Sequence, residues 1–142
     1  MFFCYTMAVT TRRSILVLSA VWGLLLFGAQ LWKYLHFGYN GLDLAIYSQV
    51  MWSLSHGHHF ASSIQGASYL GDHFEPILLL LTPLYWIFSS PVLLLLAQTT
   101  ALSIAVFLLL REVAQRFSGT WKTAGSILVV TNPILWNVGT YE

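Results

Sequence analysis

The sequence has few charged residues, no excess of acid or base, and almost no cysteine. Of its 142 residues, 8% are charged and 57% are hydrophobic, whereas a soluble domain carries about a quarter charged residues. This shortage excludes an ordinary soluble domain and also a disordered segment, which needs the opposite composition. The net charge of +1 provides no basic surface, so no nucleic-acid partner is expected. The single cysteine, Cys4, excludes an intrachain disulfide and a zinc site built from cysteines.

Long uncharged runs dominate the sequence instead, and they predict an all-α membrane protein. The first run, 14–32, has 19 residues and no charge, and as a helix it would match the ~30 Å hydrocarbon layer of a bilayer. It is longer than the apolar core of a signal peptide and lacks a small-x-small cleavage site. We therefore expect an uncleaved span, with a signal peptide as the alternative. Similar runs predict transmembrane helices over 91–110 and 123–142, separated by a polar hinge over 111–122.

The charged residues that flank these runs predict the topology of the chain. Arg12 and Arg13 precede the first span, and the positive-inside rule keeps the N-terminal segment 1–13 in the cytoplasm. The segment 33–75 then lies outside the membrane, and it contains all five histidines and three of the five acidic residues. By the same rule, the basic residues of the hinge 111–122 are expected in the cytoplasm.

The segment 76–90 decides between two topologies. Its apolar run has 14 residues and contains Pro83, which is short compared with the ~20 residues of a typical span. We therefore expect a re-entrant or juxtamembrane helix, because the helix over 91–110 then runs inward and delivers its basic end to the cytoplasm. A short span across the bilayer is the alternative.

A turn followed by an amphipathic helix is predicted within the outer loop. Asn40 and Gly41 favour the turn. An apolar stripe then indicates a helix over 43–55 that lies along the membrane surface. The stripe is formed by Ile46, Val50 and Leu54. Asp43 is placed to cap the first amides of this helix, and capping alone is enough to explain an acid at that position.

The histidines and acids of the outer loop invite interpretation as a metal site. The candidates are His56, His58, His59, Asp72, His73 and Glu75. No pair of these histidines has the His-x-x-x-His spacing that presents two ligands on one helical face. We therefore expect no resident metal and keep a divalent metal ion as the alternative. Glu75 precedes Pro76, and an acid beside a proline at a helix start has a local structural explanation.

Two stretches of the sequence resemble a family of bacterial and archaeal multi-pass membrane proteins known as domain of unknown function 2079. The first, 39–52, reads Tyr-Asn-Gly-Leu-Asp-Leu-Ala-Ile-Tyr-Ser-Gln-Val-Met-Trp, and the second, 69–78, reads Tyr-Leu-Gly-Asp-His-Phe-Glu-Pro-Ile-Leu. Further similarity follows in 83–85 and 93–98. Three positions depart from the family's commoner Gly, Phe and Asp, namely Ala45, Tyr47 and Ser48. Asp43 is therefore the only carboxylate of its helix.

This family resembles the GT-C glycosyltransferases, which transfer sugars from polyprenyl-phosphate carriers. The resemblance implies a GT-C-like N-terminal module, in which a first span is followed by an outer loop with juxtamembrane helices and by a helix that returns to the cytoplasm. It implies that Asp43 is a catalytic base, which accepts the proton of an acceptor hydroxyl, and that Glu142 is a second catalytic acid. It also implies substrate binding by four residues, His59, Asp72, His73 and Glu75. The two histidines of this set are the candidates for stabilising the leaving phosphate.

The function expected from the resemblance is sugar transfer at a bacterial or archaeal plasma membrane. A lipid bilayer and a polyprenyl-phosphate sugar are the expected partners, and an extracytoplasmic molecule is the acceptor. Such enzymes have more spans than this sequence, which stops at Glu142. We therefore expect an N-terminal part that is inactive alone. The alternative is a small non-catalytic multi-pass membrane subunit or binding protein.

Overall fold

A computed structural model describes residues 2–39, 43–64, 68–71 and 73–140 of the chain. These residues form six α-helices and one 3-10 turn and contain no strand, which confirms the expected all-α fold class. The helices are α1 (Phe2–Leu35), α2 (Asp43–Ser55), α3 (Leu78–Ile87), α4 (Pro91–Arg116), α5 (Gly119–Val130) and α6 (Pro133–Thr140), with the 3-10 turn at Tyr69–Gly71.

Helices α1 and α4 are the two described helices that are long and apolar enough to cross a membrane. Their apolar spans are Arg12–Leu35, with 24 residues, and Pro91–Arg116, with 26 residues. At about 1.5 Å per residue, each exceeds the ~30 Å hydrocarbon thickness of a bilayer. Only 28% and 17% of the most apolar window of each helix is buried within the protein. The core helix of a soluble protein would be mostly buried, so these helices have the composition and exposure of lipid-facing helices.

Two helix ends differ from the boundaries that the sequence predicted. Helix α1 already begins at Phe2, within the segment expected as a cytoplasmic N-terminus, and α4 continues to Arg116, beyond the apolar run that ends at residue 110. The Arg116 Nε donates to a carboxylate oxygen of Glu112 at 3.0 Å, and an acid four residues before a base stabilises an exposed helix. The polar residues of the expected hinge thus extend α4, and only two residues separate it from α5.

The described chain divides into two compact units. The first contains α1 as far as Trp32 and the chain from Ala97 onward, which is most of α4 together with α5 and α6. The second runs from Lys33 to Leu96 and contains α2 and α3. The last residues of α1 and the first residues of α4 therefore belong to the second unit.

Within the first unit, α1 and α4 pack side by side in antiparallel directions. Gly23 of α1 lies so close to α4 that a Cβ at this position would overlap the Ser103 Oγ. Further along α1, the Gln30 side chain is bonded to that of Gln98, earlier in α4. Later residues of α1 thus contact earlier residues of α4, as expected for antiparallel helices. The buried apolar side chains between the helices are Trp22, Leu26, Val106 and Leu110.

Three polar side chains in this apolar setting bond to one another and to the backbone of α6. Gln30 is 0% exposed, and its Nε2 donates to the Gln98 Oε1 at 2.9 Å and to the Gly139 carbonyl at 2.5 Å. The Gln30 Oε1 accepts a hydrogen bond from the Thr99 hydroxyl at 2.5 Å. The Gln98 Nε2 donates to the Val138 carbonyl at 2.9 Å. The network joins α1, α4 and α6 and satisfies polar groups that would be costly to leave unpaired away from water.

The segment 123–142, expected as one transmembrane helix, is divided in the structure into α5 and α6. Pro133 has no amide hydrogen and therefore cannot continue the helical hydrogen bonding. The next amide, of Ile134, donates to the Asn132 side-chain oxygen at 2.9 Å instead of reaching back into α5. In a continuous helix this amide would bond to the carbonyl of Val130, four residues earlier. The expectation of a single helix was therefore wrong at this point.

The Val130 carbonyl that the break leaves without its helical donor is satisfied by two tryptophans. The indole N–H of Trp22 donates to it at 3.0 Å, and that of Trp136 at 2.9 Å. The two indole rings also contact each other, with centroids 5.2 Å apart. A helix break is tolerated in an apolar environment when neighbouring groups satisfy the freed backbone, and here α1 and α6 supply those donors.

The second unit has its own apolar core, in which α3 packs against α2. Ile46 and Val50, which the sequence placed on the apolar stripe of α2, are both buried there. The other buried members of the core are Met51, Phe60, Tyr69, Leu78 and Tyr85. Helix α3 has only 10 residues, about 15 Å of helix. It is therefore half as long as the bilayer is thick.

The buried glutamine network generates a prediction about stability. Replacing Gln30 with methionine, which is similar in size, leaves the Thr99 hydroxyl and the Gly139 carbonyl without their partner. We expect Gln30→Met to lower the free energy of unfolding by about 1–2 kcal/mol, measured by SDS-induced unfolding of the protein in micelles. The matched control is Gln115→Met, because Gln115 is exposed on α4. Equal stability of the two variants would contradict the structural role of the network.

Candidate functional site

Asp43 is the first residue of α2, and its side chain is exposed to solvent. A carboxylate in the first turn of a helix interacts favourably with the positive end of the helix dipole. Tyr47 lies one turn further along, at i+4, and therefore on the same side of α2. The structure thus leaves the Asp43 carboxylate open to solvent while its position stabilises the start of the helix.

An open cavity of about 400 Å³ lies beside the start of α2. Its volume falls in the range of sites that hold small molecules, about 300–1,000 Å³. One wall is formed by the end of α1 and the turn after it, with Tyr34, Leu35, Phe37 and Tyr39. Helix α2 contributes Leu44, Ala45 and Ser48 to the lining, and Pro91 at the start of α4 completes it.

The two faces of α2 have different roles. Leu44, Ala45 and Ser48 line the cavity, while Ile46 and Val50 lie in the core of the second unit. The Ser48 hydroxyl donates to the Leu44 carbonyl within α2 at 2.6 Å, so this wall of the cavity offers mainly carbon atoms. Asp43 directly precedes Leu44 in the chain. The residue that carries the carboxylate is therefore the sequence neighbour of the first residue of this apolar wall.

A tight turn at the end of α1 forms the other wall. The Phe37 amide donates to the Tyr34 carbonyl at 3.2 Å and the Gly38 amide to the Lys33 carbonyl at 2.7 Å, which is the hydrogen-bond pattern of a Schellman helix end. Phe37 occupies the left-handed position of this motif, with φ of 54°, where glycine is the usual residue. A phenylalanine in this conformation costs about 1 kcal/mol, and the turn directs the chain along the cavity.

A cluster of polar side chains in the second unit, here called the Glu75 group, surrounds the carboxylate of Glu75. The hydroxyl of Tyr47 donates to its two oxygens at 3.0 and 3.2 Å, and the hydroxyl of Tyr69 donates at 3.1 Å. The two tyrosine rings meet edge to face, with centroids 5.7 Å apart. His73 joins the group through its ring, 5.6 Å from the ring of Tyr69. Glu75 is thus held by α2 on one side and by the 3-10 turn on the other.

Burial and the Glu75 carboxylate keep both tyrosines protonated. Desolvation is the main cause that raises the pKa of Tyr47 above its usual value, and hydrogen bonding to Glu75 adds to it. The pKa of Tyr69 is raised as well, again mainly by burial and then by its interaction with Tyr47. A neutral phenol is a hydrogen-bond donor, so both residues remain able to bind the carboxylate well into the alkaline range.

The histidines proposed from the sequence are distributed over separate places. His56 stacks on Trp52, with centroids 4.2 Å apart, and its Nδ1 lies 2.8 Å from the Trp52 carbonyl oxygen. His59 is exposed in the turn after α2, with a left-handed φ of 52°. The structure therefore brings His73 and Glu75 together around Tyr69, while His59 belongs to a different turn. Asp72 and Glu142 lie outside the described residues.

The described ranges contain no group of three His, Cys, Asp or Glu side chains close enough to hold a metal ion. The features that the sequence did not reveal are instead the two tyrosines on Glu75 and the cavity at the end of α1. Tyr47 and Glu75 are 28 residues apart, and no local pattern links them. Tyr34 did carry a signal, as an aromatic residue after the first span, but this signal indicates an interfacial anchor rather than a cavity wall.

The described residues contain helices and no strand, and two of the helices are apolar and long enough to span a membrane, which agrees with a helical membrane protein. A family model described as "Predicted membrane protein (DUF2079)" matches residues 33–135, and the chain belongs to this family. The matched range contains the whole second unit, with the cavity and the Glu75 group. The resemblance noted at 39–52 and 69–78 is thereby confirmed. No curated protein and no solved structure matches the chain.

The Glu75 group generates a prediction about stability and its pH dependence. Tyr69→Phe removes a hydrogen bond to a charged acceptor, so we expect it to lower the free energy of unfolding by about 1.5–3 kcal/mol at neutral pH, measured by thermal unfolding in micelles. Tyr85→Phe is the matched control, because Tyr85 is also buried but donates only a long bond of 3.4 Å to a carbonyl.

The pH dependence has a defined sign. The pKa of Tyr69 is raised in the folded protein. The contribution of Tyr69 to the free energy of unfolding is therefore fully present below pH ~10, where a tyrosine of the unfolded chain begins to ionise. This contribution is lost as the pH rises towards the pKa that Tyr69 has in the folded protein. The difference in stability between the wild type and Tyr69→Phe should therefore shrink above pH ~10. A difference that instead shrinks between pH 5 and 9 would contradict this assignment.

Proposed function

We propose that this protein transfers a sugar from a polyprenyl-phosphate carrier to an extracytoplasmic acceptor, with Asp43 as the general base. The observation that carries the proposal is the position of Asp43. It is a solvent-exposed carboxylate next to an apolar cavity, and this cavity is lined by the end of one spanning helix and by the first residue of the other. A lipid-linked sugar needs an apolar surface for its lipid and a polar, wet surface for its sugar. The two requirements are met side by side at this point of the fold.

The proposed reaction is an inverting transfer. The Asp43 carboxylate accepts the proton of an acceptor hydroxyl as that oxygen attacks the anomeric carbon. The new bond joins the acceptor oxygen to the sugar, and the bond between the anomeric carbon and the phosphate oxygen breaks. The electron pair of that bond leaves with the polyprenyl phosphate, so atoms and charges balance without a further reactant.

The other site residues are proposed to act around this centre. Glu75, with its two tyrosine donors, is a fixed carboxylate that can accept hydrogen bonds from sugar hydroxyls. His73 contacts the ring of Tyr69, one of these two donors, and can serve the sugar. His59 and the residues outside the described ranges, Asp72 and Glu142, remain proposals from the family resemblance.

We also propose the topology that this function requires, with a cytoplasmic N-terminus, with 33–75 on the outer side of a bacterial or archaeal plasma membrane, and with 76–90 as a re-entrant or juxtamembrane helix. Two observations support it. Helices α1 and α4 are antiparallel in the first unit, so the end of one and the start of the other are at the same end of the pair. Helix α3, between them in sequence, has about half the length of a span.

The catalytic assignment is tested with Asp43→Asn in the full-length protein reconstituted in liposomes. The substrates are a panel of polyprenyl-phosphate mannose, glucose and arabinose, and released polyprenyl phosphate is measured by mass spectrometry. We expect the variant to lose at least about 100-fold in rate, because a general base contributes about 10²–10⁴. Glu112→Gln is the matched control, since Glu112 is an exposed acid of α4 paired with Arg116. Turnover by Asp43→Asn at the wild-type rate would exclude Asp43 as the base, and the absence of any turnover by the wild type would favour a non-catalytic membrane subunit.

The topology is tested by labelling single cysteines in intact cells. In a Cys4→Ser background, Ser68→Cys should react with an impermeant maleimide, because Ser68 is exposed in the segment proposed to lie outside. Ser118→Cys, between α4 and α5, should react only after the cells are opened. Labelling at 118 in intact cells would mean that α3 crosses the membrane and that the proposed arrangement is wrong.

A further inference from the structure

We propose that the cavity at the end of α1 binds the chain of a polyprenyl phosphate and that Lys33 binds its phosphate. This inference rests on the proposed function, because it names the residues that would hold the lipid part of the donor. It replaces the two histidines that the sequence suggested for the phosphate, since neither His59 nor His73 is among the described residues that line the cavity.

The sequence offers very few cations for an anionic ligand in this region. Lys33 is the only lysine or arginine between Arg13 and Arg111. It is also the residue at which the apolar run of the first span ends. A phosphate group carried at the surface of the membrane, on the side of 33–75, would therefore meet this one basic side chain, which directly follows the apolar run of the first span.

The structure brings this charge to the wall of the cavity. The Lys33 Nζ lies 4.4 Å from the centroid of the Tyr39 ring, and Tyr39 is one of the residues that line the cavity. A cation over an aromatic face is held by the quadrupole of the ring. An ammonium group has three N–H donors and binds phosphate oxygens through charge-assisted hydrogen bonds. The ring thus positions a phosphate-binding group at the edge of an apolar site.

The turn after α1 fixes the stem of the same lysine. A Cβ on Gly38 would lie 2.8 Å from the Lys33 Cγ, so only glycine allows this approach, and the Gly38 amide bonds to the Lys33 carbonyl. The stem is therefore enclosed between the turn and the aromatic ring. A side chain that is ordered before the ligand arrives loses less entropy on binding.

The lining of the cavity suits a hydrocarbon chain better than a sugar. Its walls are aromatic and aliphatic, and the Ser48 hydroxyl is already bonded within α2. Phe37 contributes a ring that is 94% exposed on a backbone in the left-handed conformation. A strained residue with an exposed apolar side chain is typical of a ligand contact. Phe37 thus adds an exposed apolar ring to the lining of the cavity, and this ring can cover a bound chain.

The experiment measures binding of undecaprenyl phosphate to the full-length protein in detergent micelles by native mass spectrometry. Two variants test the two halves of the site. Lys33→Met removes the charge and keeps the stem, and Ala45→Trp fills the cavity from α2. Their matched controls are Lys122→Met and Ala124→Trp, both on α5 in the first unit. We expect each test variant to bind at least about tenfold more weakly than the wild type, and each control to bind within about twofold of it.

Three further ligands separate the sources of binding. Undecaprenol, which lacks the phosphate, should bind about tenfold more weakly to the wild type and equally to the wild type and Lys33→Met. Inorganic phosphate should not compete at millimolar concentration. Phosphatidylglycerol should bind more weakly than undecaprenyl phosphate and should be insensitive to Ala45→Trp. Equal binding of undecaprenol and undecaprenyl phosphate, equal binding of both anionic lipids, or full binding by Lys33→Met would each overturn the inference.

The outcome is distinguishable from failure of the proposed function. If undecaprenyl phosphate binding depends on Lys33 and Ala45 but no sugar is transferred, the lipid site stands and the catalytic proposal fails. If Asp43→Asn abolishes transfer while Lys33→Met binds undecaprenyl phosphate as the wild type does, the catalytic proposal stands and the lipid site is wrong.

Discussion

Every polar group that enters the hydrocarbon layer of a membrane needs a hydrogen-bond partner within the protein, because no water is available there. The first unit meets this requirement with two sets of bonds. The Gln30 side chain joins α1 to α4 and α6, and the indoles of Trp22 and Trp136 satisfy the carbonyl that the break before Pro133 leaves open. Both sets use α1 as a partner, so the pairing of the helices and the break between α5 and α6 are consequences of the same constraint.

The antiparallel pairing of α1 and α4 determines what the chain between them can do. The end of one spanning helix and the start of the other belong to the second unit, where α2 and α3 form a separate apolar core. One face of α2 is used by that core, and the other face is left to line a cavity with the end of α1. This division of α2 places Asp43 next to an apolar surface while leaving its carboxylate in solvent, and the proposed function follows from that combination.

The local elements of this structure could be predicted from the sequence, but its long-range contacts could not. The period of Ile46 and Val50 predicts α2 and its buried face, and composition predicts the two spanning helices. Pro133 was visible in the sequence, but its effect on a uniformly apolar run was underestimated. The turn that builds the cavity has Phe37 in a position that usually carries glycine, so no turn signal marks it. The bond between Tyr47 and Glu75 joins residues that only tertiary packing brings together, which is why neither tyrosine was predicted as part of a site.

The proposed site requires that α1 ends where α4 begins and that the two helix ends share one cavity. It can be tested most directly by cross-linking in native membranes, with Leu35→Cys and Pro91→Cys combined in a Cys4→Ser background and treated with a short bismaleimide. Both positions line the cavity, so we expect an intramolecular cross-link. Gln30→Cys with Gln98→Cys serves as a positive control for the pairing of α1 and α4, because these two side chains are hydrogen-bonded to each other. Cross-linking of the control pair without cross-linking of the 35–91 pair would mean that the two helix ends lie apart and that they do not share a cavity.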